Sequence, residues 1–385
     1  MGTRTQLSFL SERSASVSTD TNVDPLDGDR LTLLRLMYDA FLEAEQHTGG
    51  AIDYDYRIGG SIVRLRFAGE SLIPRITRAF AHLACPAASK PDLVVCLWDS
   101  ASTDRRLPLL VSSLIRLLKL TWLEDRGMRG EIFDYNSNRI RAALHGDDSN
   151  VLSLIDLKDN VAVYWVTDSD DLPWYETGAP LRILLYWWFS HHGRQMVHGG
   201  AIGTETGGVL LGGKGGSGKS TTALASLDSS LLYAGDDYTL VTMEPQPFIH
   251  SLYNTAKVKG EADLKRFPWM TSRICNGGRI GPNEEKPMMF LQEHQPEKIV
   301  FGFPLKAIVL PRFIPGNEKC EVIPVAAESA FKAIAQSTIT QLTGSGSEAL
   351  RAMSELVHRL PCYLVKLGQD QNEIPKVILD LLAKH

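Results

Sequence analysis

Between residues 29 and 46, Leu31, Leu34, Leu36, Met37, Phe41 and Leu42 recur at helical spacing, and Gly49-Gly50 closes the run. That pattern predicts an amphipathic helix. Residues 56–67 change period: Ile62, Val63, Leu65 and Phe67 surround Arg64 and Arg66, which reads as strand. A second helix is expected over 71–83, a buried strand over 92–98 (DLVVCLW) and a further helix over 107–123. Residues 132–170 read as successive strands with turns at 135–138 and 146–148, NVAVYWVTD being the clearest. Residues 180–190 form a helix whose Tyr186, Trp187, Trp188 and Phe189 suit core or domain-interface packing.

From Gln195 the chain becomes rich in glycine. VHGGAIGTETGGVLLGG reads as two short strands joined by a Gly-Thr-Glu-Thr-Gly turn, and 221–227 as a short helix. Apolar stretches at 231–233 and 238–242 flank Asp236-Asp237. A strand at 307–310 and helices at 326–335, 348–359 and 374–384 complete the reading. The alternation of helices and strands predicts an α/β protein, α+β overall, in three parts. These are a flexible leader over 1–27, a smaller mixed α/β domain over 28–180 that suits recruitment of a substrate or partner, and a second domain over 181–385 with C-terminal helices. No internal repeat stands out.

Composition narrows the classes. With 385 residues, 44% hydrophobic and 22% charged, the chain has the balance of a globular protein of two or three domains. Its net charge of −5 argues against broad binding to nucleic acid or an anionic membrane. The most apolar run, 181–189, carries Arg182 and is about half the ~18 residues of a spanning helix. Cys85, Cys96, Cys275, Cys320 and Cys362 are scattered, without C-x-x-C spacing. They read as small buried hydrophobes in a reducing, cytoplasmic setting.

The sharpest signal is Gly213-Lys214-Gly215-Gly216-Ser217-Gly218-Lys219-Ser220, which meets G-x-x-x-x-G-K-[ST] at every fixed position. An apolar strand precedes it and a helix-compatible run beginning at Thr221 follows. Glycines let successive N–H groups curl round phosphates where side chains would clash. Lys219 can bridge the β- and γ-phosphates, and the Ser220 hydroxyl is a hard ligand for Mg²⁺. Residues 213–221 are therefore the candidate nucleotide-binding residues. Asp236 and Asp237 follow Ser220 by one short helix and one short strand. One carboxylate can hold hydrated Mg²⁺, which makes Ser220 and Asp236 the candidate metal ligands. The other can accept a proton from an attacking hydroxyl. His198, on the strand leading to the loop, is read from its own chemistry as either a core histidine or a site residue.

VHGGAI…GGVLLGGKGGSGKSTTALASL…AGDDYTLV resembles the catalytic domain of the HPr kinase/phosphorylase family, well over 195–245 and loosely over 195–315. The resemblance implies a phosphoenolpyruvate-carboxykinase-like domain with a mixed sheet, using ATP and Mg²⁺ to phosphorylate a serine on a peptide or protein. It implies Lys219, Asp236, Asp237 and His198 as catalytic residues, one aspartate being the base with His198 beside it. The family's Glu-Ile-Arg-Gly-type segment is absent downstream, where His250–Lys259 stands instead. The chain is more similar to divergent members found with bacterial peptide biosynthesis, lasso peptides included. Lys257 and Lys259 are candidates for neutralising phosphate charge, and Arg312 for a further phosphate contact. Ser337-Thr338 and Thr340 read as a helix start or as substrate contacts. Partners expected are a nucleoside triphosphate and a serine-bearing acceptor, with no nucleic acid and no membrane; a homo-oligomer is compatible with the sequence. A small-molecule kinase of the same fold, a carboxykinase-like lyase and an ATP-driven switch without acceptor are the competing readings.

Overall fold

The computed structural model describes residues 27–120, 130–132, 135–145, 151–276, 285–314, 316–317, 319–342 and 346–385. The expected leader (save Asp27), the end of the helix at 107–123 and the turn at 146–148 lie outside them. The described residues form two compact units. One holds the residues up to Thr77 with Ala84–Pro173 and Ile183–Trp188. The other holds Arg78–Leu83, Trp174–Arg182 and Phe189–His385. Both are α/β with mixed sheets.

In the first unit, α1 (Asp27–His47) is the amphipathic helix read from the sequence; it buries Leu33, Leu34, Met37, Tyr38, Phe41 and Ala44. The strands are β1 (Ala51–Ile58), β2 (Ser61–Ala68), β3 (Ala84–Cys85), β4 (Leu93–Asp99), β5 (Ile140–His145), β6 (Val151–Asp156) and β7 (Val161–Val166). They pair in the order β3-β1-β2-β4-β7-β6-β5. β2, β4 and β7 run parallel and the flanking pairs antiparallel. All residues of β4, β6 and β7 are buried, the pattern of strands covered on both faces. Helix α2 (Leu109–Leu120) follows β4. The helix expected over 71–83 is instead one turn, Ile73–Ile76, and a 3-10 segment, Arg78–Leu83. The segment Arg78–Leu83 belongs to the second unit, where the Asn254 amide donates to the carbonyls of Arg78 and Ala79 at 2.8 and 2.9 Å.

Helix α3 (Arg182–His191) leads into the second unit, whose strands are β8 (Gln195–Val197), β9 (Gly200–Thr204), β10 (Gly207–Leu211), β11 (Leu232–Gly235), β12 (Thr239–Thr242), β13 (Phe248–His250), β14 (Thr255–Lys257), β15 (Met288–Phe290), β16 (Gly302–Phe313), β17 (Glu321–Pro324) and β18 (Cys362–Leu367). Besides the short helices Trp174–Gly178 and Glu261–Arg266, its helices are α4 (Lys219–Ala225), α5 (Ala327–Gln341), α6 (Gly346–Arg359) and α7 (Glu373–Leu382). The main sheet runs β11-β9-β10-β16-β13-β12-β8, with β18 on β16 and β17 on β18. β16 is parallel to both β10 and β18 and antiparallel to β13. Its first three residues pair with β13, while later ones pair with β10 and β18, so one long strand joins two halves of the sheet.

The connections place the site. β8 and β9 are separated only by His198 and Gly199, yet β8 is last in the strand order and β9 second; likewise β11 is first and β12 next to last, separated by Asp236, Asp237 and Tyr238. Links that short require the sheet to curl until its two halves face each other across a seam. Both crossings lie on that seam. Helices α4 and α7 pack on one side of the parallel strands through Ala223, Leu224, Ile374 and Ile378. Helices α5 and α6 pack on the other through Ile334, Ala335, Met353 and Leu356.

Among the described residues no helix is long and apolar enough to cross a membrane. All five cysteines are free. Cys96 and Cys362 are buried as expected, but Cys275 is exposed, because it follows the 3-10 segment Pro268–Arg273 at the edge of the small β14–β15 sheet.

Candidate active site

The loop from Gly212 to Gly218 leaves the end of β10 and enters α4, with the strand before and the helix after that its sequence requires. The Gly212 N–H donates to the Val309 carbonyl at 2.9 Å and anchors the loop to β16. Gly213, Gly216 and Gly218 have φ of 133°, 78° and 113°, where a side chain is strained. Space is the second constraint. A Cβ on Gly218 would meet Leu367 Cδ1 at 2.6 Å, whereas Gly215 and Gly216 face open space. The loop is thus packed at its root and open at its crown, alongside exposed Lys214.

Lys219 is buried under the crown, donating to the carbonyls of Gly213 at 2.7 Å and Lys214 at 3.3 Å. Burial lowers its pKa, against the pull of the Asp236 and Asp237 charges. Ser220, half-buried in the first turn of α4, hydrogen-bonds Asp236. Thr221 is half-buried beside it.

The two aspartates sit in different surroundings. Asp236 is buried, and its Oδ1 has no hydrogen-bond partner among the described residues. Burial and the neighbouring Asp237 charge raise its pKa, while Ser220 and Lys219 hold it down. Asp237 takes φ of 73°, a left-handed conformation forced by the crossing, with the Tyr238 N–H turned back to the Asp236 carbonyl at 2.9 Å. Its side chain is 29% exposed. Oδ1 meets His198 Nε2 at 3.1 Å and Oδ2 meets Lys257 Nζ at 2.9 Å. Burial works against its ionisation, but Lys257 and then His198 outweigh it and hold the carboxyl well below the usual carboxylate range.

The partners of Asp237 are themselves fixed. His198 Nδ1 is bonded to the Ser337 hydroxyl, and its backbone N–H donates to Thr338 Oγ1 at 3.1 Å. Its ring lies 5.4 Å from that of Tyr238. The Tyr238 hydroxyl accepts from Arg182 at 3.0 Å and donates to Gln341 at 3.3 Å. The Lys257 ammonium is 5.6 Å above the Trp174 ring and lies against Gly178, where a Cβ would fall 2.8 Å from Lys257 Cε. Gly199 and Gly200 keep the other crossing close: a Cβ on Gly200 would lie 3.3 Å from Asp236 Oδ1.

The structure therefore brings His198, Lys219, Ser220, Asp236, Asp237 and Lys257 to one seam. Lys259 is not part of it; its side chain is exposed in the loop after β14. Arg312 is exposed on β16, one residue past Pro311, which lies 3.7 Å from a Cβ built on Gly218. Ser337 and Thr338 lie near the end of α5, not at a helix start. Tyr238, Arg182, Trp174 and Gly178 carried no sequence signal of their own, since aromatic and arginine side chains at such spacing are ordinary core residues.

Mg²⁺ fits these residues. The bare, buried Asp236 Oδ1 beside the Ser220 hydroxyl is a hard-oxygen donor set. Among the described residues there is no cluster of three or more His, Cys, Asp or Glu of the kind a fully caged metal needs. Mg²⁺ at phosphate sites instead uses one or two protein ligands and the phosphates.

No family model matches this chain, and no curated protein matches it. Among solved structures, the HPr(Ser) kinase/phosphatase from Coxiella burnetii matches at 14% identity and a TM-score of 0.29, over 50% of this chain and 90% of that one. This is a weak likeness to a kinase-like fold; it carries no inference about the site.

Proposed function

We propose that the chain is an ATP- and Mg²⁺-dependent kinase that moves the γ-phosphate to a serine hydroxyl of a peptide or protein. The observation that carries this reading is the unlike pair of carboxylates at the loop: Asp236 bare and bonded to Ser220, Asp237 ionised and held by His198 and Lys257. A site that only gripped nucleotide has no use for a second, separately oriented carboxylate. The mixed sheet supports the phosphoenolpyruvate-carboxykinase-like arrangement that the sequence resemblance implies.

In this reading the crown glycines receive the phosphates, and Lys219 turns from the Gly213 and Lys214 carbonyls to the β- and γ-oxygens. Ser220 and Asp236 hold Mg²⁺, which neutralises phosphate charge when bound. Asp237 accepts the proton of the acceptor hydroxyl as its oxygen bonds the γ-phosphorus; the bond from that phosphorus to the bridging oxygen breaks, and ADP leaves with the electron pair. His198 and Lys257 keep Asp237 charged and aimed. A serine on a flexible peptide suits a base with 29% of its side chain open to solvent.

The test is transfer of γ-labelled phosphate from ATP, with Mg²⁺, to serine-bearing peptides, including those encoded beside the gene. Phosphoserine on an acceptor is the expected product. Release of inorganic phosphate at the same rate with and without acceptors would overturn the kinase reading in favour of a nucleotide hydrolase.

Ser337 acts through His198 as a positioning residue. With its hydroxyl on Nδ1, the ring is fixed to present Nε2 to Asp237. Ser337→Ala should lower kcat on the order of tenfold, below the ~100-fold of a direct proton-transfer group, with KM for ATP unchanged. Ser337→Thr, which keeps the hydroxyl, should recover most of it. Equal kinetics in Ser337→Ala and wild type would remove Ser337 from the site.

A further inference from the structure

We propose that Phe313 and Arg266 form a subsite for the base of the bound nucleotide. The proposal rests on the phosphate-loop reading and deepens it. Phe313 ends β16 and is 43% exposed, one of few large apolar residues left open among the described residues. Its position is fixed by two registers. Leu211, the last residue before the loop, pairs with Val309, so Phe313 extends four residues beyond the level at which the loop begins. Phe313 itself pairs with Leu367, and Leu367 Cδ1 is the atom that a Cβ on Gly218 would strike at 2.6 Å. Paired strands lie about 5 Å apart, so the aromatic residue stands one strand away from the residue touching the loop's root.

The face is determined as well. Alternate residues of a strand share a side. Ala307 and Val309 pack in the cluster that holds Ala223 and Leu224 of α4, and Leu367 belongs to the same cluster. Phe313 has the parity of Ala307 and Val309 and pairs with Leu367, so its ring emerges on the side of α4. Arg266, at the end of the helix Glu261–Arg266, has its guanidinium 5.3 Å from the ring centroid. It is also paired with Asp263 at 3.4 Å. A partly open aromatic ring with a guanidinium over it, four residues past the level at which a phosphate loop begins, offers its remaining open surface as a stacking platform for a flat heterocycle joined to the phosphates through a ribose. Stacking grips any base by its π-face, so the subsite supplies affinity for nucleotides over bare polyphosphates without choosing adenine over guanine.

Isothermal titration of the full chain with ADP and with inorganic tripolyphosphate, both with Mg²⁺, tests this. In Phe313→Ala, Kd for ADP should rise about tenfold, within the range of one base–aromatic stack. Kd for tripolyphosphate should stay as in wild type, and Phe313→Trp should recover ADP binding. Arg266→Ala should weaken ADP binding by a smaller factor and leave tripolyphosphate binding alone. Unchanged ADP affinity in Phe313→Ala overturns the subsite while leaving the phosphate loop intact, and so does an equal loss for both ligands. Wild-type protein that binds neither ligand would overturn the loop reading itself, and the subsite with it.

Discussion

Replacing Lys219 with methionine is expected to slow phosphate transfer by on the order of 10²–10³-fold, the scale on which a preorganised donor to a developing negative charge is felt. The fold should not suffer. Lys219 is buried, its ammonium donating to two loop carbonyls, and burial already lowers its pKa. Its charge is therefore held at the site against the solvation it would have in water. Methionine keeps the apolar stem and removes the buried charge, a change that is often neutral or stabilising. Activity and stability should move apart: transfer nearly abolished, melting temperature equal or higher. A variant that melts well below wild type would mean that the ammonium is a structural clip on the Gly213 and Lys214 carbonyls, and the lost activity would no longer identify a phosphate ligand.

Asp237→Asn should have the second large effect, and on both quantities at once. On the proposed mechanism the carboxylate is the group that receives the acceptor proton, so kcat should fall roughly 10²–10⁴-fold. Lys257, 8% exposed, would also lose its counter-charge. Removing one partner of a buried pair costs several kcal/mol; with Asp237 29% exposed the loss should be about 1–3 kcal/mol. That corresponds to a melting temperature lower by several degrees. The double variant Asp237→Asn/Lys257→Met should regain the stability and not the activity. Asp236→Asn should differ in sign: its carboxylate is buried beside another and bare at Oδ1, so the amide should leave stability unchanged or raised while transfer is lost. If thermal melts and rates of the two single variants are indistinguishable, the aspartates do not have separate roles.

Much of this was readable because it is local. The phosphate loop needs its glycines, lysine and serine in one run, with a strand and a helix on either side, and all of that fits within 207–225. The acidic pair is equally compact, and its two apolar flanks are strands β11 and β12. The α/β class with mixed sheets follows from the same alternation of periods. What could not be read depends on sequence-distant contacts. Ser337 reaches His198 across 139 residues from near the end of α5, whereas its local sequence reads as a helix start or a substrate contact. Lys257 and Lys259 look equivalent in the sequence. β14 stops at Lys257, so one side chain is held against Trp174 and Gly178 while the other enters solvent. The strands β13, β14 and β15 are three residues each, too short for a period to appear. Segments 78–83 and 174–182 join the second unit without any change of composition to mark them.

The long strand β16 has a consequence for how such a site forms at all. Gly302–Pro304 pair with β13 in the half that carries β12 and β8, and Leu305–Val309 pair with β10, which carries the loop. A slip of one residue along this strand would turn every inward side chain outward in both halves together. Neither half can then settle into its native pairing while the other is misaligned, and partly folded chains gain little from one correct half. The two crossings are drawn together in the same cooperative event that seats the strand, so the population of molecules with an intact loop but a scattered acidic pair is kept small.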